Sequence, residues 1–338
     1  MAIGAGETIA PANDAAGSTD SARRARDVSV VIVSYEGRED LERCLTAVQD
    51  DSTELDVEVF VVDNASTDGS QAMVAEMFPS VALIVNEHNL GFSAANNQAL
   101  RRYSGRYAFL LNPDAFLTPG ALNRLVTFMD EHPAVGASGP KLLNRDGSLQ
   151  CSIRRFPSLK NAAFETFFLQ HLVPGLTSRY GEVVVDARAY VRPHAVEWLS
   201  GAAMFVRRDT IDRVGMMDES FFLFAEEIDW FKRMHDAGIQ VWFDPEAIAF
   251  HRDSEGGVNP NLVGQNAYAR DQYWNKHSGR SRAFIARCLL VAYMSLRLVV
   301  WLLVGLSGTE HSKKQFLAYR RGLSDLFARR SLAPGGVK

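Results

Sequence analysis

The chain has 338 residues, of which 47% are hydrophobic and 22% charged, and its formal net charge at pH 7 is −4. This is the composition of an ordinary globular protein that is long enough to bury a substantial core. Cys44, Cys151 and Cys288 are widely spaced and form no Cys-x-x-Cys pair. Disulfide-scaffold and zinc-ribbon classes are therefore excluded, and a reducing, cytosolic setting is expected.

Charge is distributed unevenly along the chain. From Lys276 to Lys338, twelve Lys or Arg residues accompany two acidic residues, so this segment carries +10 and the remainder −14. A basic tail on an acidic body indicates an anionic partner, either phospholipid or nucleic acid. Residues 1–27 lack the apolar core of a signal peptide, and we expect them to form a disordered leader.

Short apolar runs alternate with helical patterns over the first third of the chain. Strands are predicted at Val28–Val33, Val57–Val62, Val81–Val85 and from Tyr107, and helices around Leu41–Val48, Ser70–Phe78 and Gly91–Tyr103. This alternation predicts an α/β fold, with a doubly wound, mostly parallel sheet and helices on both faces.

The pattern is less regular after the fourth strand. Thr118-Pro119 predicts a helix with proline at its first position. Further elements are predicted as a strand at Gly201–Val206, a helix through Phe231–Met234 and two short strands at Gln240–Phe243 and Ala247–Phe250.

The apolar segment Cys288–Leu306 is long enough for a membrane span. A central arginine costs about 2.5–3.5 kcal/mol in a span, however, and Arg297 interrupts the segment while Arg287 precedes it. We therefore expect a helix in the membrane interface with its arginines at the headgroups, followed by a basic amphipathic helix over Lys313–Arg330. The alternative is a helix packed on the domain.

Asp114 ends the sequence Leu111-Asn112-Pro113-Asp114, directly after a buried strand. Open α/β sheets bind ligands at the carboxyl ends of their strands. A carboxylate there, with an amide two residues earlier, can bind a divalent cation through oxygen. The alternative is a turn without a ligand, for which Asn-Pro-Asp is equally suitable.

Several segments in order carry a family resemblance. They are Val30–Tyr35, Val61–Ser70, Asn89–Asn96 and Leu111–Asp114, with Trp198–Ala202, Phe222–Asp229 and His251 later in the chain. Together they resemble glycosyltransferase family 2, the inverting enzymes of GT-A fold, and most closely its bacterial rhamnosyltransferase branch. The resemblance covers residues 28–279, and no dinucleotide, Walker, nucleophile-elbow or His-Glu-x-x-His motif competes with it.

The resemblance implies a site for a nucleotide-sugar donor. Its residues would be Ser34, Tyr35, Glu36, Asp63, Asn89, Gly91, Phe92, Asn96, Asn112 and Asp114. Asp63 would accept a hydrogen bond from N3–H of a uracil or thymine base, although a turn carboxylate is the alternative. Asp114 stands at the last aspartate of the family's Asp-x-Asp motif, whereas Asn112 replaces the first aspartate.

The resemblance also implies a divalent metal on Asp114 and His251. Mg²⁺ and Mn²⁺ both suit such a site, and the imidazole favours Mn²⁺. The alternative for His251 is a surface or core residue without a ligand.

The acidic block Glu226, Glu227 and Asp229 is the implied catalytic group, and Glu227 occupies the place of the family's catalytic aspartate. Clustered, partly buried carboxylates have raised pKa values that suit a general base. A solvated helix start is the alternative. Trp198, Ser200 and Gly201 would line the acceptor side.

These inferences predict an inverting, metal-dependent glycosyltransferase at the cytoplasmic face of the cell membrane, without a nucleic-acid partner. It would transfer L-rhamnose from dTDP-L-rhamnose to a polyprenyl-diphosphate-linked glycan in cell-wall or surface-polysaccharide synthesis. The alternatives are a UDP-hexose-dependent enzyme of the same fold and a silent nucleotide-sugar-binding membrane scaffold. Residues 28–115 would bind the nucleotide, 116–280 would hold the acceptor and catalytic half, and 281–338 would form the basic membrane-associating helices. Oligomeric state stays open.

Overall fold

The structure is a computed structural model, and it describes residues 26–52, 54–252, 262–305 and 309–328. Nearly all of the expected leader therefore lies outside the described residues. So do the last ten residues of the basic tail, which include Arg329 and Arg330.

Strands in the described residues form one large sheet and a small ribbon. They are β1 (Val28–Ser34), β2 (Val57–Asp63), β3 (Ala82–Val85), β4 (Tyr107–Leu111), β5 (Ala115–Leu117), β6 (Val135–Leu143), β7 (Leu149–Gln150), β8 (Ile153–Arg154), β9 (His194–Val196), β10 (Trp198–Leu199), β11 (Ala203–Arg207) and β12 (Gln240–His251). The sheet order is β3-β2-β1-β4-β11-β6-β12-β5, with β7 beside β6 and β9 beside β12, while β8 and β10 form the ribbon. Strands β1 to β4 pair in parallel, and β11 inserts antiparallel between β4 and β6.

Helices cover both faces of the sheet. They are α1 (Arg38–Asp51), α2 (Ser70–Met77), α3 (Phe92–Leu100), α4 (Ala121–Glu131), α5 (Leu159–Thr166), α6 (Leu169–Leu172), α7 (Thr177–Tyr180), α8 (Arg208–Val214), α9 (Glu226–Asp236), α10 (Val263–His277), α11 (Arg280–Gly305) and α12 (Glu310–Ala328). Alternate residues of β1 enter opposite cores: Val31 packs with α3 and α9, whereas Val30 and Ile32 pack with α1 and α4. The predicted fold class is confirmed.

Two predicted boundaries differ from the structure. Helix α4 begins at Ala121 after Gly120 in a left-handed conformation (φ +85°), so Pro119 lies outside it. The Asp51 carboxylate caps this start by accepting from the amides of Gly120 and Leu122. The two short strands predicted after Gln240 are one strand, β12, whose register shifts between Asp244 and Ile248.

The apolar helix α11 packs one face on the protein. Arg287 donates to Asp271 at 2.7 Å, and Arg297 lies 4.4 Å from the Phe168 ring and donates to the Glu165 carbonyl at 3.1 Å. The expectation that these arginines reach the headgroups is wrong, because both are satisfied inside the protein. The other face exposes apolar side chains: Phe284, Ile285, Val299, Leu302 and Leu303. Among the described helices, α11 is the one whose length and composition would allow it to cross a membrane.

Candidate active site

A cleft of about 580 Å³ opens at the carboxyl ends of β1, β2 and β4. We call it the large cleft. Seven of the ten predicted donor-site residues line it: Tyr35, Glu36, Asn89, Gly91, Phe92, Asn112 and Asp114. The parallel register of these strands places the residues that follow them at one edge of the sheet.

Ser34 and Asp63 do not line the large cleft but lie buried beside it, paired in the register of β1 and β2. The Asp63 Oδ1 accepts from the Ser66 amide at 2.9 Å and from Gln71 Nε2 at 2.8 Å, so Asp63 does shape the turn. Its Oδ2 and the Ser34 hydroxyl are buried without a hydrogen-bond partner in the described residues. Buried polar atoms are normally satisfied, so these two oxygens are suited to a bound ligand.

The loop before α3 forms one wall of the large cleft. Asn89 Oδ1 accepts from the Gly91 amide at 2.8 Å, and Gly91 has φ +83°. Asn96 faces elsewhere, because it is buried within α3 and donates to the Phe92 carbonyl at 2.9 Å. On the opposite wall Glu36 (φ +50°) accepts from the Thr67 amide and hydroxyl, which fixes the loop after β1.

The predicted metal ligands meet in space. Pairing of β12 with β5 sets His251 opposite Ala115, and His251 Nε2 then lies 3.3 Å from Asp114 Oδ1. His251 Nδ1 lies 2.8 Å from Gln150 Oε1, which orients the ring with Nε2 toward Asp114. Asn112 Nδ2 is 3.4 Å from the same nitrogen. A carboxylate oxygen on the cleft wall and an imidazole nitrogen 3.3 Å from it fit a divalent ion whose other ligands come from diphosphate and water. The described residues contain no cluster of three or more such side chains.

Glu227 lies in a separate cavity of about 240 Å³, which we call the Glu227 cavity. The segment before α9 borders both spaces, since Phe222 lines the large cleft and Phe224 the Glu227 cavity. Phe224 and Ala225 both have left-handed backbones, with φ +69° and +64°. Such residues cost about 1–3 kcal/mol each and cluster at functional sites.

At the start of α9, Glu226 is buried and Glu227 is half-buried. Burial raises the pKa of Glu226 well above its ordinary value, and repulsion from Glu227 adds to this. Burial also raises the pKa of Glu227, while a backbone hydrogen bond and the positive charges of Arg154 and Arg270 oppose the shift. The Oε2 atoms of both carboxylates are buried without a partner in the described part of the chain. The alternative interpretation of this acidic block, a solvated helix start, is therefore wrong.

Asp229 lies away from this cavity. It is fully buried and contacts Arg233 at 2.9 Å, Lys276 at 2.6 Å and His277 at 2.7 Å. Hydrogen bonds from His277 and Lys276 outweigh the effect of burial and lower the pKa of Asp229 to about 2. The carboxylate thus ties α9 to α10, and the structure does not bring it together with Glu227.

The predicted acceptor-side residues do meet Glu227. Trp198 and Ser200 line its cavity, and a Cβ added at Gly201 would lie 3.7 Å from Glu227 Cγ. The ribbon of β8 and β10 positions them, with Trp198 Nε1 donating to the Arg155 carbonyl at 2.8 Å.

Sequence reasoning missed several residues at these spaces. Asn64 lines the large cleft and donates to the Gly91 carbonyl at 3.2 Å; its place directly after Asp63 could have indicated it. Gln150 and Arg154 reach the site through β7 and β8, two-residue strands without a recognisable periodicity.

Comparison with solved structures identifies the fold. The structure superposes on a solved mannosyltransferase of Pyrobaculum calidifontis, described in complex with GDP-Man and Mn²⁺, with a TM-score of 0.54 and 16% identity, covering 90% of this chain and 88% of that one. The shared fold is GT-A-like.

The sequence comparisons point to the same family as the motifs. Residues 29–180 match the profile of glycosyl transferase family 2. It is 29% identical over 272 residues to the N-acetylglucosaminyl-diphospho-decaprenol L-rhamnosyltransferase of Mycobacterium tuberculosis, covering 75% of this chain and 86% of the relative. It is also 24% identical over 221 residues to a low-salt glycan biosynthesis hexosyltransferase of Haloferax volcanii, covering 64% of each. The comparisons confirm the predicted resemblance to this family and support a glycosyltransferase.

Proposed function

We propose that this glycosyltransferase moves L-rhamnose from dTDP-L-rhamnose to a hydroxyl of a lipid-linked glycan at the cytoplasmic face of a membrane. The observation that carries the proposal is the placement of Asp114 on the wall of the large cleft, with Asp63 buried beside it, His251 in contact with Asp114 and Glu227 in the second space. The name of the mycobacterial relative supports both the sugar and the lipid-linked acceptor.

The two predicted halves of the domain would have different roles. Residues 28–115 would bind the nucleotide, with Asp63 Oδ2 accepting from the base. Residues 116–280 would hold the acceptor. A divalent ion on Asp114 and His251, Mn²⁺ or Mg²⁺, would supply positive charge beside the diphosphate. The mannosyltransferase described with Mn²⁺ supports this assignment.

Glu227 would act as the general base. Its carboxylate would accept the proton of the acceptor hydroxyl as the hydroxyl oxygen attacks the anomeric carbon opposite the diphosphate. The bond from that carbon to the diphosphate oxygen would break, the nucleoside diphosphate would leave with the electron pair, and the configuration would invert. A raised pKa brings a glutamate closer to the pH at which a base is effective.

Membrane association would use the exposed apolar face of α11. Because one face of α11 packs on the protein, with both arginines paired there, the opposite apolar face can enter the membrane interface without burying charge. The basic residues of the tail would add attraction of about 1 kcal/mol each to anionic lipid.

A donor panel tests this function. The purified full chain is incubated with dTDP-rhamnose, UDP-glucose, UDP-galactose or GDP-mannose, a prenyl-diphosphate-linked N-acetylglucosamine and Mn²⁺, and the released nucleoside diphosphate is identified. We expect dTDP. Release of UDP would establish the UDP-hexose alternative. Absence of turnover with every donor, together with measurable nucleotide binding, would favour the silent scaffold.

A further inference from the structure

Arg154 lines the Glu227 cavity and has no assigned role. It lies on β8 opposite Trp198, and its guanidinium carbon is 5.8 Å from the centroid of the Trp198 ring. Among the described residues, its buried Nε has no hydrogen-bond partner, and the side chain makes no ion pair or hydrogen bond.

The neighbouring arginines are paired, which sets Arg154 apart. Arg270 contacts both Glu182 oxygens, at 2.7 and 2.9 Å, so its charge is balanced. Arg155 donates to the carbonyls of Gly181 and Ser178. A partly buried guanidinium with an unsatisfied N–H is costly unless an anion completes it.

The donor's diphosphate is expected elsewhere, near Asp114 and His251 at the large cleft, and no described residue that lines this cleft also lines the Glu227 cavity. Glu227 attracts Arg154 at long range but forms no ion pair with it, and the Oε2 of Glu227 has no hydrogen-bond partner among the described residues either. The space between the two side chains is therefore available to a ligand that brings both a hydroxyl and an anionic group.

A further cavity, which we call the inner cavity, indicates where such a ligand would continue. It has a volume of about 220 Å³, lies between α5, α10, α11 and α12, and shares Asn266 and Arg270 with the Glu227 cavity. Much of its lining is apolar, including Ala267, Leu290 and Met294. This inner cavity adjoins the helix whose outer face is exposed and apolar.

We propose that Arg154 binds a phosphoryl group of the acceptor, between the sugar hydroxyl at Glu227 and a hydrocarbon chain in the inner cavity. The inference rests on the proposed function and adds the chemistry by which the acceptor is recognised. Arginine suits this role because its planar fork matches phosphate oxygens. Specificity follows, since an acceptor without phosphate leaves the guanidinium unpaired.

Binding of farnesyl diphosphate and of farnesol, measured by calorimetry, tests the proposal without catalysis. EDTA in the buffer removes the ion that a diphosphate would use in the large cleft, and added dTDP checks that this cleft is not the site. Arg154→Met is compared with Arg154→Lys, which keeps the charge, and with Arg188→Met, a control at an arginine that is 89% exposed.

We expect the wild-type chain to bind farnesyl diphosphate more tightly than farnesol. Arg154→Met should weaken diphosphate binding about tenfold to a hundredfold, which corresponds to about 1.4–2.8 kcal/mol, and leave farnesol binding within about twofold. Arg154→Lys should fall between, and Arg188→Met should match the wild type.

Equal loss for both ligands, displacement of farnesyl diphosphate by dTDP, or no wild-type preference for the diphosphate would overturn the proposal. The donor panel tests the proposed function independently of this site. If the chain is an active transferase and Arg154→Met binds farnesyl diphosphate as the wild type does, only the phosphoryl site is refuted. If the chain turns over no donor but its binding of farnesyl diphosphate depends on Arg154, the proposed transferase function is refuted and the phosphoryl site stands.

Discussion

The amide of Phe92 donates a 2.8 Å hydrogen bond to the carbonyl of Phe222. This bond joins the wall of the large cleft to the segment that leads into Glu226 and Glu227. Contact is so close there that a Cβ added at Gly91 would lie 2.2 Å from the Phe222 carbonyl oxygen. The two halves of the proposed reaction therefore share one backbone contact, and glycine is needed to make it.

Gly91→Ala tests that contact. We expect a loss of about 2–3 kcal/mol in the free energy of unfolding, because left-handed strain and a backbone clash add together, and a raised KM for the donor. Gly120→Ala is the matched control: its φ is also positive, at +85°, and no atom of the described residues lies within 4 Å of the added methyl group. Chemical unfolding and donor titration compare the two variants. Equal losses would show that the Phe222 contact is unimportant.

Asp114→Ala and His251→Ala test the metal assignment. The first should abolish metal-dependent turnover, since it removes the charged ligand. The second should raise the Mn²⁺ concentration that gives half the maximal rate. Gln150→Ala should raise it about tenfold to a hundredfold, because Gln150 orients the His251 ring. His171→Ala, at an exposed position, is the control. An unaltered Mn²⁺ titration in His251→Ala would show that this histidine is not a metal ligand and has a structural role only.

Asp229→Asn should act on stability. Removing a charge from the buried cluster with Arg233, Lys276 and His277 should cost about 3 kcal/mol of unfolding free energy at neutral pH. The depressed pKa of about 2 means that the native carboxylate contributes fully above its unfolded-state pKa near 4 and loses that contribution as pH falls toward 2. The difference between variant and wild type should therefore shrink over that acid range in urea titrations. A difference that does not change with pH would contradict the ion-pair account.

Membrane attachment is testable on the exposed face of α11. Phe284→Asp with Leu303→Asp should release the chain from anionic liposomes, because these side chains are 68% and 61% exposed and make the outer apolar face. Met77→Asp with Val191→Asp changes exposed apolar residues elsewhere and serves as the control. Turnover of a short soluble acceptor should be preserved. Unchanged sedimentation with liposomes would refute the interfacial role.

Local patterns predicted strands β1, β2 and β4 well, because each is a largely apolar run that ends at polar residues. The meeting of His251 with Asp114 depends on pairing of β12 with β5, and only the family resemblance indicated it in advance. Asp229 was grouped with Glu227 by proximity in sequence. Its true partners, Lys276 and His277, follow almost fifty residues later, so no local pattern could reveal them.

Arg154 illustrates the same limit. Its environment depends on the ribbon of β8 with β10 and on α9, which are far apart in sequence. Likewise, the apolar run of α11 indicated a membrane helix, but the partners that turn its arginines inward lie on α5 and α10.

The central claim is that Glu227 is the general base, and Glu227→Gln tests it most directly. The transfer rate at saturating donor is measured across pH for this variant, for Glu226→Gln and for Asp229→Asn, beside donor binding by calorimetry. We predict that Glu227→Gln binds the donor normally and loses about 10²–10⁴-fold in rate. The wild-type rate should rise with pH through a pKa above that of an ordinary glutamate, because only the deprotonated carboxylate can accept the proton. A near-normal rate in Glu227→Gln, with the loss in Asp229→Asn instead, would contradict the account.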